Sequence, residues 1–249
     1  MIFRQLFEPL SSTYTYLLGD EHTGQAVLID PVIATMDRDL AEVHRLGLKL
    51  AYTIDTHIHA DHITAALEMK RAVGSKIAAP AHDRLACVDI GLEEGRQFQI
   101  GGIALDPLHT PGHTAGHFAY VFNERVFTGD ALLIEGCGRT DFQSGDADAL
   151  YRSVRDKLFA LPDETLVYPA HDYQGRFVSS IAQEKKRNPR LGGEKTIEEF
   201  KTTMAKLNLP YPKFIDYAVP GNLKCGVCPD DLPDNLAGYC RQMTQSLQG

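Results

Sequence analysis

THIHADH, residues 56–62, places three histidines and an aspartate within seven positions. It follows the apolar run KLAYTID, which reads as a strand, and precedes ITAALEMKRAVG, whose spacing predicts a helix closed by Gly74. His57 and His59 are two apart where the chain is still extended, so both side chains should leave one face. A lone H-x-H is ordinarily a solvated loop. Four candidate ligands in six positions change that, because imidazole and carboxylate without thiolate is the set that borderline metals take.

The rest of the chain supplies matching ends. LHTPGHTAGH places His109, His113 and His117 around a Pro-Gly turn, RVFTGDALL places Asp130 after a Thr-Gly turn, and LVYPAHDYQ places His171 after an apolar run. Taken singly, His117 is a satisfied strand histidine, His109 a turn residue and Asp130 an ordinary turn aspartate. Three further strands that each finish on a ligand-type residue, beside THIHADH, predict a metal site.

Around these ends the patterning falls into two blocks. FRQLFE, TYTYLLG and QAVLIDP are strand-like, and Met36–Leu46 has helical spacing before Gly47. SKIAAP adds another strand. RQFQI, GIALDPLHT, HFAYVFN and RVFTGD form a second strand block with turns at Gly101-Gly102 and Asn123-Glu124. Asp146–Leu161 reads as a helix, TLVYPA as a strand, and a further helix ends before Asn188-Pro189. Thr196 with Glu199 three residues on is a capping box that opens another. Two strand blocks, each followed by helices, imply an α+β four-layer αββα sandwich. We read residues 1–249 as a single domain whose proline-rich segment from about 208 wraps over it as an irregular extension.

Bulk properties narrow the function. A formal charge of −8 excludes nucleic acid as the main partner. No apolar run reaches the roughly 18–20 residues that span a bilayer, so no membrane partner is expected. The N-terminal MIFRQLFEPLSS lacks the apolar core of a secretory signal. Five scattered cysteines, an odd number, predict reduced thiols and a cytoplasmic address. Among them Cys137 reads as a buried packing thiol, and Cys225 and Cys228, too few for a zinc knuckle, as free thiols with Cys240 unassigned. The basic run KKRNPR, residues 185–190, reads as a solvated helix end that complements the helix dipole.

In order, HIHADH, GHT, GDAL and AHDY resemble the metallo-β-lactamase superfamily, whose fold is the same metallo-β-lactamase-like αββα sandwich with metal bound at the edge between the sheets. GCGRTDFQ (136–143), AHDYQGR and NLPYPKFIDYAVPGNLKCG are similar to its persulfide dioxygenase (sulfur dioxygenase) branch. The neighbouring glyoxalase II thioester hydrolases more often carry GHEYT at the second stretch and a longer basic helical domain at the third. The resemblance implies an oxidoreductase that oxidises glutathione persulfide with O2 to sulfite and releases glutathione. It implies His57, His113 and Asp130 as ligands of one Fe(II) per chain, the facial arrangement that leaves one side open. His59, Asp61, His62 and His171, second-metal ligands in the hydrolases, would instead orient those ligands and hold water. All seven groups are present, so a glyoxalase II-like hydrolase of S-lactoylglutathione with two metals stays as the alternative. A homodimer follows only from the habits of the family.

For substrate, Arg139 either pairs with a glutathione carboxylate or forms a structural ion pair with Asp141. Tyr173 either donates a hydrogen bond to substrate or packs as an aromatic. Arg176 is a further candidate on the same loop.

Overall fold

The computed structural model describes residues 1–230 and 232, so Cys240 lies outside the described residues. Strands β1 (Ile2–Glu8), β2 (Thr13–Asp20), β3 (Gln25–Ile29), β4 (Lys49–Ile54), β5 (Lys76–Pro80) and β6 (Ile90–Leu92) form one sheet in that order. β7 (Phe98–Ile100), β8 (Ile103–His109), β9 (Phe118–Phe122), β10 (Arg125–Gly129), β11 (Leu166–Pro169) and β12 (Ser179–Ser180) form the second. The first sheet is antiparallel from β1 to β3 and parallel from β3 to β6. The parallel neighbours need crossovers, and α1 (Met36–Arg45) and α2 (Ala66–Val73) supply two of them.

The core follows the alternation of each strand. Tyr14, Tyr16, Leu18, Val27, Ile29 and Ile54 from the first sheet meet Ile103, Leu105, Phe118, Tyr120 and Phe127 from the second in one buried cluster. The outer face of the first sheet buries Leu17, Ala26 and Leu28 against Met36, Val43 and Met69 of its helices. The outer face of the second packs Ala119, Val126 and Val167 on Leu150, Ile181 and Phe200, from helices α3 (Ala147–Arg152), α4 (Ile181–Arg187) and α5 (Ile197–Ala205). These are the four expected layers of a metallo-β-lactamase fold.

Local signals hold where the chemistry is local. Gly74 closes α2 at φ +72°, and Thr196 and Glu199 make the reciprocal bonds of the capping box at α5. Lys185, Lys186 and Arg187 occupy the last turn of α4, beside its exposed carbonyls. α2 begins three residues later than the spacing of Ile63–Gly74 suggests, because Ile33 N–H and Ala65 N–H are tied into the neighbouring loop by Ile63 and Pro31 carbonyls. The helix expected over Asp146–Leu161 is α-helical only to Arg152 and continues with wider π spacing over Ser153–Leu158.

Two differences matter near the C-terminal end. Residues Ile215–Asn222 form α6 despite Pro220, and its inner face buries Ile215, Ala218 and Asn222. Pro220 removes one helical bond, the one to the Asp216 carbonyl, and the helix still closes through Leu223 N–H to the Val219 carbonyl. The expectation of reduced thiols is corrected: Cys87 and Cys225 are joined in a disulfide across 138 residues of chain, with Cα atoms 6.1 Å apart. Cys228 is disulfide-bonded as well, whereas Cys137 is free and buried as expected. Scattered spacing misled because the turn after α6 folds back onto the start of α2, where Leu67 N–H donates to the Cys225 carbonyl. With Cys87, Cys225 and Cys228 oxidised, the cysteines give no support to a reducing compartment. No helix among the described residues is long and apolar enough to cross a membrane.

Closing so long a loop removes much unfolded-state freedom. The double variant Cys87→Ser/Cys225→Ser should unfold with a free energy lower by about 2–4 kcal/mol, read by denaturant titration under oxidising conditions. An unchanged midpoint and slope would show that the bridge adds nothing to the hydrogen bonds around it.

Candidate metal centre

The site forms where loops after β3, β4, β8, β10 and β11 meet at one edge of the two sheets. Two contacts fix that edge: Phe118 N–H donates to the Thr56 carbonyl at 2.8 Å, and Tyr14 N–H to the Ala170 carbonyl at 2.7 Å. Strand β4 stops at Ile54, so His57 and His59 stand on a loop rather than on extended strand. Their rings still converge, with centroids 4.1 Å apart.

Asp30, at the end of β3, shapes that loop. Its carboxylate accepts from Thr56 N–H at 2.7 Å, from the Thr56 hydroxyl at 3.0 Å and from His59 Nε2–H at 3.1 Å. Asn222 of α6 holds the other side, donating to the carbonyls of His59 and His62 and accepting from Thr64 N–H. Gln143 donates to the Ile58 carbonyl at 2.7 Å. Gly138 permits the closest approach: a Cβ there would lie 2.7 Å from His113 Nδ1 and 2.6 Å from the Asp130 carbonyl.

These contacts set the free nitrogen of each ring. His113 Nδ1–H donates to the Arg139 carbonyl at 2.8 Å, so Nε2 presents its lone pair, 3.4 Å from Asp130 Oδ2. His171 Nδ1–H donates to the Ser12 carbonyl at 3.2 Å, and its Nε2 stands 3.4 Å from Asp61 Oδ2 and 3.5 Å from Asp130 Oδ1. His57 Nδ1 is engaged with Thr56 Oγ1 at 2.9 Å. Burial and the surrounding imidazoles hold the His57 pKa well below its ordinary value, which keeps a lone pair available. Burial works against charge on Asp61, but His62 and His171 outweigh it and hold its carboxyl well below the usual range.

The donor set fits a metal ion. His57, His113 and Asp130 offer ligand atoms within 4.8 Å of one another, and so do His59, Asp61 and His62. Asp130 Oδ1, His59 Nδ1 and His62 Nε2 are buried without a hydrogen-bond partner. Imidazole nitrogens and carboxylate oxygens converging on one buried spot are groups a cation would satisfy together, and stranded buried polar atoms cost about 1–3 kcal/mol each. Asp61 is hydrogen-bonded to His62 Nδ1 at 3.0 Å and the Thr13 hydroxyl at 3.2 Å, closer than the 3.4 and 3.5 Å contacts of Asp130 with His113 and His171.

Two of the seven histidines that looked like ligands are structural. His117 Nε2 accepts from Asp130 N–H at 3.0 Å and its Nδ1 is bound to Thr110, while His109 Nε2–H donates to the Ala115 carbonyl. Cys137 packs against Met204, and burial pushes its thiol up to about 11.

A pocket of about 650 Å³ opens beside the cluster, lined by Asp61, His113, Asp130, His171 and the segment after α5. Arg139 takes the structural option: it pairs through two nitrogens with Asp141, at 2.6 and 2.7 Å, and donates to the Pro210 carbonyl. Arg176 is likewise committed, to Asp172, Glu135 and the Ile134 carbonyl. Tyr173 is 72% exposed and lies flat on His171, ring centroids 6.0 Å apart. Lys213, which the sequence reading passed over, is the available cation. It is exposed on the pocket wall, and among the described residues it touches only the Phe214 ring. Its signal was faint, a lone lysine between prolines and aromatics in YPKF.

Replacing an outer partner of a ligand typically costs 10–100-fold in metal affinity. Asp30→Ala should lower divalent-metal affinity by about that factor, measured by competition with a chelator. Unchanged affinity in a folded variant would contradict the role given to Asp30.

The metallo-beta-lactamase superfamily model matches residues 9–171. The chain is 49% identical over 229 residues to "Persulfide dioxygenase ETHE1, mitochondrial" from Bos taurus, covering 91% of this chain and 89% of that protein. It is 48% identical to the Homo sapiens protein of the same name, with the same coverage. The crystal structure of ETHE1 from Myxococcus xanthus superposes with a TM-score of 0.89 at 53% identity, covering 91% of this chain and 100% of that one. The chain therefore belongs to the metallo-β-lactamase superfamily and, within it, to the persulfide dioxygenase family.

Proposed function

We propose that this protein, acting as one unit, is an Fe(II)-dependent glutathione persulfide dioxygenase. Glutathione persulfide, O2 and water give glutathione, sulfite and two protons, so both oxygens of O2 and one from water end on the terminal sulfur. The observation that carries the reading is the triad of His57, His113 and Asp130, whose ligand atoms converge within 4.8 Å of one another beside an open pocket. The named relatives support the choice of reaction.

These three residues would hold the ion on one side. A ferrous ion there would supply open positions for sulfur and dioxygen, and the electron transfer that activates both. The protein's part is positioning. Thr56 and the Arg139 carbonyl orient the rings of His57 and His113. Asp61, kept ionised by His62 and His171, would hold and orient a water beside the cluster by accepting its hydrogen bond. Lys213 is placed to pair with a carboxylate of glutathione. Arg139 acts indirectly, bridging the Asp141 loop to Pro210 on the pocket wall.

Thioester hydrolysis is the second reading, and the unpaired His59 Nδ1 and His62 Nε2 favour it, since they could serve a second ion. Protein loaded anaerobically with Fe(II) separates the two. Substrate-dependent oxygen uptake matching sulfite release is expected, with one iron per chain. Oxygen-independent cleavage of S-lactoylglutathione by a two-metal protein, with no uptake, would refute the dioxygenase reading. His113→Ala should lose both bound iron and oxygen uptake.

Lys213→Ala should raise KM for glutathione persulfide about 5–50-fold, the worth of a charge-assisted contact of about 1–2.3 kcal/mol, with kcat little changed. A fall in kcat at constant KM would contradict a role in binding.

A further inference from the structure

Beneath α6 lies a second, smaller cavity of about 50 Å³. Its walls are apolar: Val32, Ile33, Ile63, Phe214, Tyr217 and Ala218. Four residues, Leu10, Ser11, Asp61 and Phe214, line both this cavity and the large pocket, so the two share a wall beside Asp61. No role in binding the persulfide falls to it, because a charged tripeptide does not fit.

The polar groups at its rim are turned to one another. The Glu8 carboxylate accepts from Leu10 N–H, Ser11 N–H and the Ser11 hydroxyl at 2.8, 2.8 and 2.6 Å. The Ser11 hydroxyl is also 2.7 Å from that of Thr13, and Asp61 is held by Thr13 and His62. Of the rim's buried side-chain atoms, His62 Nε2 alone lacks a partner among the described residues. A buried water needs about two to four polar partners, and an apolar cavity without them stays dry and takes up apolar guests. The space is larger than one water requires, and it is lined by Asp61 and His62, which stand next to the donors proposed to hold the metal.

We propose that this cavity is a dioxygen site, which delivers O2 to the metal cluster past Asp61 while the persulfide occupies the large pocket. The assignment rests on the dioxygenase reading above and adds to it a separate place for the apolar co-substrate. Separate places matter physically. A bound persulfide that filled the large pocket would otherwise block the approach of the gas.

Xenon is the probe, since it enters dry apolar cavities without any chemistry. Crystals of the full-length protein under xenon pressure should show the gas between Ile33 and Ala218, and crystals of Ala218→Leu should not. In solution, Ala218→Leu should raise KM for O2 about fivefold and leave KM for glutathione persulfide unchanged. Ile33→Phe narrows the cavity from a different element and should act alike, which covers a failure of the first variant to fold. Oxygen uptake by wild-type protein whose cavity holds no xenon overturns this assignment alone. So does an unchanged KM for O2 in a variant whose crystals exclude the gas. Wild-type protein that takes xenon but consumes no oxygen with persulfide overturns the dioxygenase reading, and this assignment with it.

Discussion

One buried carboxylate organises the centre. Asp30, 1% exposed, accepts three hydrogen bonds from the loop that carries THIHADH. Its backbone is held as rigidly, with its N–H on the Ile54 carbonyl and its own carbonyl taking the Thr15 hydroxyl. Asp30 sits at φ +52°, an uncommon conformation for a residue with a side chain, which turns its carboxylate across β4 rather than along β3. Loop backbone at a sheet edge would otherwise be free to turn its imidazoles outward. Here one acid decides which nitrogen of His59 faces the cluster and how Thr56 meets His57.

The same logic runs through the remaining ligands. Each ring spends one nitrogen on a carbonyl, hydroxyl or carboxylate behind it and aims the other forward. Such pairing of a ligand with a group behind it fixes tautomer and direction together. The forward-facing atoms then crowd one another, an arrangement that suits a cation between them. Asp61 is hydrogen-bonded to Thr13 and His62, whereas Asp130 Oδ1 makes no hydrogen bond among the described residues and faces His171 Nε2 at 3.5 Å. Around the centre the protein has divided its space: a large, charged-rimmed opening on one side, a small apolar one under α6 on the other.

Much of this was legible in the chain. Short apolar and β-branched runs located most of the strands, because each sheet buries both faces and its breaks fall at Gly, Pro and Asn. The ligand-type residues were legible for the same reason: they cap strands, and strand ends share one edge. What could not be read depends on meetings between distant residues. Asp30 looks like any Asp-Pro turn until His59 lies beside it. Arg139 offered two partners, and only the fold brings Asp141 into a bidentate pair and Pro210 within reach. Cys87 and Cys225 had no local signature at all. Residues 215–222 did carry helical spacing in Ile215, Ala218 and Asn222, but Pro210, Pro212 and Pro220 masked it. That helix supplies Asn222 to the metal loop and Ala218 to the small cavity.

The account's central claim is that one ion is gripped on a single side. Anomalous diffraction at the iron edge, from crystals grown anaerobically with excess Fe(II), reads this directly. One peak at bonding distance from His57, His113 and Asp130, with no second peak near Asp61, is the expected result. Two peaks sharing Asp130, with His59, Asp61, His62 and His171 all coordinated, would contradict it.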